Sequence, residues 1–205
     1  FMTKLLFFIN DDLLYFCLAN FIKKQSEFKI HAIADVTVGK KKFLESQSFL
    51  KFDSISFFHD YASKKLKNPD MEYLKQIEKK YDINLWNLAI NERYFSKDVD
   101  FFHKFTKEEI LCILENECRF FENVLSDVKP DFLIIQMPMF HYDYLFYLMC
   151  KKLGINIMLL GVARGFAKRC MISEEYDQLP KYDLSDAKKH DFKTFEELQS
   201  YLKKN

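Results

Sequence analysis

Glycine and proline are scarce in this chain, with four of each among 205 residues. Folds with many tight turns need both, because glycine adopts positive φ without strain and proline fixes the φ of a turn residue. The scarcity argues against an all-β fold. Four motifs are also missing: G-x-G-x-x-G, G-x-x-x-x-G-K-[ST], G-x-S-x-G and H-E-x-x-H. Dinucleotide-binding, P-loop, serine-hydrolase and zincin functions therefore lack motif support.

Cysteine pairs and long apolar runs are missing as well. None of the five cysteines forms a C-x-x-C pair, so we expect no metal site and interpret these residues as thiols of a reducing compartment. No apolar run approaches the ~20 residues that a membrane span needs. We therefore predict a cytoplasmic protein.

Charge of one sign is not in excess either, since the formal net charge is +1. This balance gives no sign of a nucleic-acid partner. Hydrophobic residues make up 49% of the chain, and its 23 phenylalanines dominate the aromatic residues. Such a composition favours a folded core, and the length suits one core with a small appendage.

The stretch of residues 128–165 organises the rest of the chain. Lys129-Pro130-Asp131 ends a helix, because proline disfavours the helical conformation in the residue before it. An apolar run without alternation follows at residues 132–135, as in a strand buried on both faces, and residues 155–160 are predicted to be a second buried strand. Residues 142–153 between them have helical spacing, and Gly154 is a typical helix stop. The two strands should be parallel.

The opening of the chain repeats this plan, with a strand at residues 4–9, a helix and a strand at residues 28–34. A third strand is predicted near residues 52–58. The Thr-x-x-Glu pattern at Thr106 starts a long helix that should run to about residue 127. We predict an α/β, Rossmann-like three-layer sandwich with a mostly parallel central sheet and a helical insertion in the middle of the chain.

The predicted domain boundaries follow from these patterns. Residues 2–175 form the Rossmann-like domain, and residues 59–105 within it are the helical or irregular insertion. Residues 176–205 are a polar linker and a C-terminal helix.

Polar residues follow two of the predicted strands. Asn10, Asp11 and Asp12 come directly after the first strand, and Gln136 follows the strand at residues 132–135. Ligands of doubly wound sheets bind outside the carboxyl ends of the strands, so these residues are predicted to bind substrate. The alternative for Asn10, Asp11 and Asp12 is simple capping of the next helix.

His141 and Asp143 lie a few residues further along the same edge. The unperturbed pKa of histidine lies nearest neutrality, so His141 is a candidate general base that Asp143 could orient, and Asp143 is a candidate as well. The alternative is a helix cap beside a partly buried imidazole.

A basic loop follows the strand at residues 155–160. Arg164 and Arg169 are predicted to bind an anionic substrate group, because the planar guanidinium suits phosphate or carboxylate. The alternative is a solvated loop, or ion pairs with Glu174 and Glu175.

These residues carry a resemblance. The runs VKPDFLIIQMPMFHYDYLFYLMCKKLGINIMLL and GVARGFAKRCMISEEYD resemble the amino-terminal half of GT-B-type glycosyltransferases, above all those of capsular and other surface polysaccharide assembly. The shared features are the Lys-Pro-Asp helix end, the His- or Asp-bearing turn, the K-K-L-G-I before a strand, and the arginine loop with its acidic segment. The likeness covers the last third of the chain well and the opening loosely.

The resemblance implies transfer of a sugar, of the hexosyltransferase type, to a surface glycan or lipid-linked acceptor. His141 or Asp143 would deprotonate the acceptor hydroxyl. The nucleotide-sugar donor would bind a carboxy-terminal domain outside this sequence, so no cofactor is expected here and the fragment alone would be inactive. The aromatic middle region would form an acceptor wall or a contact with the inner membrane face.

The rival hypothesis is a non-catalytic Rossmann-like binding module whose exposed aromatics pair with a partner protein. A third option is a small-molecule enzyme that uses the same sheet edge.

Overall fold

The computed structural model of the protein describes residues 2–62, 68–95, 103–162, 170–176 and 192–204. Their strands form one sheet in the order β3-β2-β1-β4-β5-β6. The strands are β1 (Lys4–Ile9), β2 (Lys29–Ala34), β3 (Ser54–Phe57), β4 (Phe132–Gln136), β5 (Asn156–Val162) and β6 (Cys170–Ser173).

Neighbouring strands from β3 across to β5 are parallel, and only β6 is antiparallel to its neighbour β5. The predicted mostly parallel α/β sheet is thus confirmed, and it is compatible with a Rossmann-like fold. Strand β6 is antiparallel to β5 because the connection between them is short. Only residues 163–169 separate the two strands, and a parallel pair needs a crossover connection of a dozen residues or more.

The helices occupy the connections between these strands and the end of the chain. They are α1 (Leu14–Gln25), α2 (Val38–Ser46), α3 (His59–Ala62), α4 (Met71–Tyr81), α5 (Leu85–Asn91), α6 (Lys107–Val128), α7 (His141–Lys152) and α8 (Phe195–Lys204). A short 3₁₀ helix, Arg93–Phe95, follows α5. No helix in the described ranges combines the length and the apolar character that crossing a membrane requires.

Strand β1 lies between two apolar clusters. Leu5, Phe7 and Ile9 belong to one cluster with α1 and α2, whereas Leu6 and Phe8 belong to the other with α4 to α7. Successive side chains of a strand point to opposite faces, so a strand that is buried on both faces needs apolar residues throughout. This requirement explains why its sequence is a solid apolar run.

Helix α6 begins and ends at local signals. The Thr106 hydroxyl accepts a hydrogen bond from the backbone N–H of Glu109, and the Glu109 carboxylate accepts one from the N–H of Thr106. This is the predicted capping box. The helix ends at Val128, and the next residue, Lys129, has a left-handed φ of 49° directly before Pro130. Its buried face carries Phe121, which stacks on Phe146 of α7 with ring centroids 4.6 Å apart.

The strand order reverses between β1 and β4. The chain builds β2 and β3 on one side of β1 and then returns to build β4 and β5 on the other side. The carboxyl ends of β1 and β4 therefore lie side by side, with the connections leaving in opposite directions. Such a switch point is where open α/β sheets bind their ligands.

Candidate functional site

The side chains of Asn10 and Gln136 meet at the switch point. The Asn10 Nδ2 donates a hydrogen bond of 2.5 Å to the Gln136 Oε1. The Asn10 Oδ1 is buried and has no hydrogen-bond partner among the described residues. Both residues were predicted from sequence as substrate-binding, and the structure brings them together as the last polar groups of adjacent parallel strands.

The turn after Asn10 is strained. Leu13 has a φ of 58°, in the left-handed region that a leucine rarely adopts. Its N–H donates to the Asn10 carbonyl at 3.1 Å, which closes a tight turn between β1 and α1. Residues held in such conformations cost about 1–3 kcal/mol and cluster at ligand sites.

Asp11 and Asp12 make local contacts. The Asp11 carboxylate accepts hydrogen bonds from the N–H and the hydroxyl of Thr37, at 2.8 and 3.2 Å. Asp12 accepts one from the N–H of Leu14 at 2.8 Å. Asp11 thus ties the turn after β1 to the turn after β2, and Asp12 caps the start of α1, which is the alternative left open by the sequence. Substrate binding by both residues stays a prediction.

Asp35, which is not among the site residues predicted from sequence, is the centre of a second cluster. It follows β2, and its carboxylate accepts hydrogen bonds from the Tyr142 hydroxyl at 2.7 Å and from His59 Nε2 at 2.9 Å. Burial and the Asp35 charge raise the pKa of Tyr142 above its ordinary value. The hydrogen bond to Asp35 raises the pKa of His59, although burial opposes it.

The His59 imidazole has the arrangement of a general base. A carboxylate holds one ring nitrogen, and 60% of the side chain remains exposed. Bases in enzymes are oriented in this way by a third group. Asp35 could have been predicted from sequence in the same way as Asn10, because it is also the first polar residue after a buried strand.

His141 is clamped between two glutamates. Its Nδ1 lies 3.0 Å from Glu92 Oε2 and its Nε2 lies 3.0 Å from Glu117 Oε1. Its backbone N–H also donates to Glu92. The side chains of all three residues are buried, at 7%, 4% and 2% exposure.

The two carboxylates hold this imidazole in its charged form. Burial lowers the pKa of His141, but the charge and hydrogen bond of Glu117 and the hydrogen bond to Glu92 outweigh that effect and raise the pKa to about 9. For Glu92, burial acts to raise the pKa, and hydrogen bonds from His141 and Tyr94 outweigh it and lower the value. At neutral pH both ring nitrogens carry protons, so base catalysis by His141 stays a prediction that requires it to leave one glutamate.

Asp143 caps the start of α7. Its carboxylate accepts hydrogen bonds from the N–H groups of Met139 and Phe140, at 2.9 and 2.8 Å. The residue is fully buried. Burial raises its pKa to about 6, although these backbone hydrogen bonds act in the opposite direction. The capping alternative is thus what the geometry shows, and a role in orienting a base stays a prediction.

The predicted anion-binding residues Arg164 and Arg169 lie outside the described residues. Glu175, one of the acidic residues considered as their partner, forms an ion pair with Lys151 of α7. The Glu175 carboxylate also accepts a hydrogen bond from the hydroxyl of Tyr147 at 3.5 Å.

Comparisons with models of known protein families, with curated proteins and with solved structures find no match to this chain. The glycosyltransferase resemblance therefore stays a prediction, and the chemistry of the sheet edge is what supports a function.

Carboxylates of the chain already occupy backbone N–H groups at two helix starts on this edge. Asp12 accepts from the N–H of Leu14 at α1, and Glu92 accepts from that of His141 at α7. Free N–H groups at a helix N-terminus are what binds phosphate. These two helix starts therefore present negative charge to a phosphate.

No group of three or more His, Cys, Asp or Glu residues within the described ranges is arranged to hold a metal ion. What the edge does offer is a set of neutral amides, carboxylates and a tyrosine hydroxyl. These groups accept and donate hydrogen bonds in the way that hydroxyl-rich ligands require.

Proposed function

We propose that this chain is the acceptor-side, amino-terminal domain of a GT-B-type glycosyltransferase, which acts on a surface glycan or lipid-linked acceptor. In this proposal the fold is a Rossmann-like three-layer sandwich, and residues 59–105 form an insertion over the edge of the sheet. The observation that carries the proposal is the Asn10–Gln136 hydrogen bond across the switch point between β1 and β4.

The polar groups at the carboxyl ends of the strands suit binding of a sugar acceptor better than binding of a nucleotide. In this proposal the buried Asn10 Oδ1, which has no hydrogen-bond partner among the described residues, accepts a hydrogen bond from a ligand hydroxyl that displaces the groups covering it. A buried acceptor without a partner costs about 1–3 kcal/mol, and ligand binding would recover that cost. The carboxylates of Asp12 and Glu92 at the helix starts would repel a diphosphate but accept hydrogen bonds from sugar hydroxyls.

The proposed transfer also needs a general base that removes the proton of the acceptor hydroxyl. His141 and Asp143 are the sequence predictions for it, and both are engaged within the fold. His59 meets the requirement without rearrangement, because only one of its ring nitrogens is hydrogen-bonded within the described ranges and the side chain is largely exposed. The proposal therefore includes His59 as a candidate for this role, with Asp35 as its positioning residue.

The test is saccharide binding to the chain, measured by titration calorimetry with neutral and acidic oligosaccharides and with a nucleotide-sugar. We expect an oligosaccharide to bind and the Asn10→Ala and Gln136→Ala variants to bind it about tenfold more weakly, since each loses about one hydrogen bond to the ligand or to its partner. Asn156→Ala is the matched control, because Asn156 begins β5 at the opposite edge of the sheet.

Equal binding by Asn10→Ala and Asn156→Ala would remove the switch point from the proposal. Absence of saccharide binding by the unmodified chain would favour the rival binding module instead. That rival has support of its own in the exposed side chains of Phe21 and Phe49, which are 63% and 67% exposed.

A further inference from the structure

A pocket of about 360 Å³ lies between the middle segment of the chain and the start of α7. One wall comes from the end of α5 and the residues after it, including Glu92 and Arg93. The opposite wall comes from the turn between β4 and α7, including Phe140 and His141. The volume falls within the range of about 300–1,000 Å³ that is typical of small-molecule sites.

Aromatic rings form much of this pocket. Phe140 and Tyr144 are half-buried, and Tyr176 is 39% exposed. The rings of Tyr144 and Tyr176 lie 5.0 Å apart, and Phe140 stacks on Tyr94 at 5.8 Å. Ring contacts of this kind hold the aromatic side chains in place. An aromatic face is electron-rich, so it attracts the weakly positive C–H groups on one face of a sugar ring.

Polar groups complete the pocket. Glu92 is fixed by His141 and by the N–H of Tyr94 at 3.1 Å, so its carboxylate is positioned before any ligand arrives. Arg93 is exposed, and none of the ion pairs found in the described ranges includes it. A carboxylate and a guanidinium on one wall provide acceptors and donors for neighbouring hydroxyls.

The charge of the pocket favours a neutral ligand. The Glu92, His141 and Glu117 cluster has two carboxylates and one imidazolium, and therefore a net charge of −1 that Arg93 balances. A phosphate or carboxylate would face Glu92 directly. A ligand with an apolar face and many neutral hydroxyls fits both the rings and the charges.

We propose that this pocket binds one neutral pyranose ring of the glycan, stacked on Tyr144 and Tyr176 with its hydroxyls hydrogen-bonded to Glu92 and Arg93. The inference rests on the proposed function and gives it a sugar subsite beside the switch point. It makes Tyr144 and Tyr176 the residues that select a sugar ring.

The experiment measures dissociation constants for neutral hexose trisaccharides and for a uronic-acid trisaccharide by titration calorimetry. We expect Tyr144→Ala to weaken binding of a neutral trisaccharide about tenfold and Tyr144→Phe to change it less than about twofold, since stacking uses the ring and not the hydroxyl. Tyr176→Ala is a second test, at a position that is 39% exposed. Phe21→Ala is the control, because it removes an exposed ring from α1.

The outcomes separate this inference from the proposed function. Unchanged binding by Tyr144→Ala and Tyr176→Ala, together with weaker binding by Asn10→Ala, would overturn the pocket and keep the switch point. Tighter binding of the uronic-acid trisaccharide would overturn the assignment to a neutral ring. Absence of binding by every saccharide would overturn both.

Discussion

The clamped imidazole of His141 predicts a specific loss of stability in mild alkali. In the unfolded chain its pKa is near the ordinary 6.5, and in the folded protein the pKa is about 9. Because the folded pKa is the higher one, the stabilisation is fully present below pH 6.5 and is lost as the pH rises through about 9. One pKa unit corresponds to 1.36 kcal/mol, so the clamp contributes about 3 kcal/mol.

The assay is urea unfolding at a series of pH values from 6 to 10, for the unmodified chain and for His141→Gln. Glutamine keeps a hydrogen-bonding group but cannot become charged. We expect the free energy of unfolding of the unmodified chain to fall by about 3 kcal/mol more than that of the variant across this range. The difference between the two proteins removes the contributions of titrating groups that do not contact His141, such as His59.

A direct titration of the His141 ring by nuclear magnetic resonance supports the comparison if His141→Gln does not fold. Its midpoint should lie near pH 9 in the unmodified chain. A midpoint at or below 6.5, or parallel stability curves for the two proteins, would refute the clamp.

Three further changes test the fold around the site. A double-mutant cycle of Asn10→Ala and Gln136→Ala should give a coupling energy of about 1 kcal/mol in unfolding, and additive effects would show that their hydrogen bond contributes nothing. Tyr142→Phe should cost about 1–2 kcal/mol in thermal or urea unfolding, because it removes a partly buried hydrogen bond to a carboxylate, and an unchanged free energy would contradict that contact. Phe121→Ala should cost about 3–5 kcal/mol, whereas Phe21→Ala on the surface should cost less than about 0.5 kcal/mol, and similar costs would contradict the placement of the core.

The sheet could be predicted because its central strands are buried on both faces. The runs at residues 4–9 and 132–135 have no polar alternation, and the structure places β1 and β4 there. Local signals also set helix ends correctly, as at the capping box of Thr106 and at Gly154, whose φ is 71°. The third strand is shorter than predicted, at Ser54–Phe57, where it pairs with His31–Ala34 of β2.

The site could be predicted only in part. Strand ends select Asn10 and Gln136, but side-chain partners depend on tertiary packing. Glu92 lies in an irregular segment 49 residues before its partner His141, and no local pattern marks it. Glu117 did have a signal, because it is a charged residue in the apolar stripe of α6, at helical spacing from the buried Leu114. A charge in that position needs a buried partner of opposite sign.

For Asp35 too, the position could be predicted from sequence but the side-chain partners could not. Its position after β2 is readable from sequence, whereas its contacts with His59 and Tyr142 span 24 and 107 residues. Those contacts arise because parallel strands bring their carboxyl ends to one edge of the sheet. Sequence reasoning therefore locates the edge more readily than it assigns roles to the side chains along it.

The most direct test of the ligand-binding edge follows side-chain amide resonances during a titration with a neutral oligosaccharide. We predict that the amide signals of Asn10 and Gln136 shift with the ligand, while the amide signal of Asn156 at the opposite edge stays in place. Shifts at Asn156 with none at Asn10 and Gln136 would contradict it.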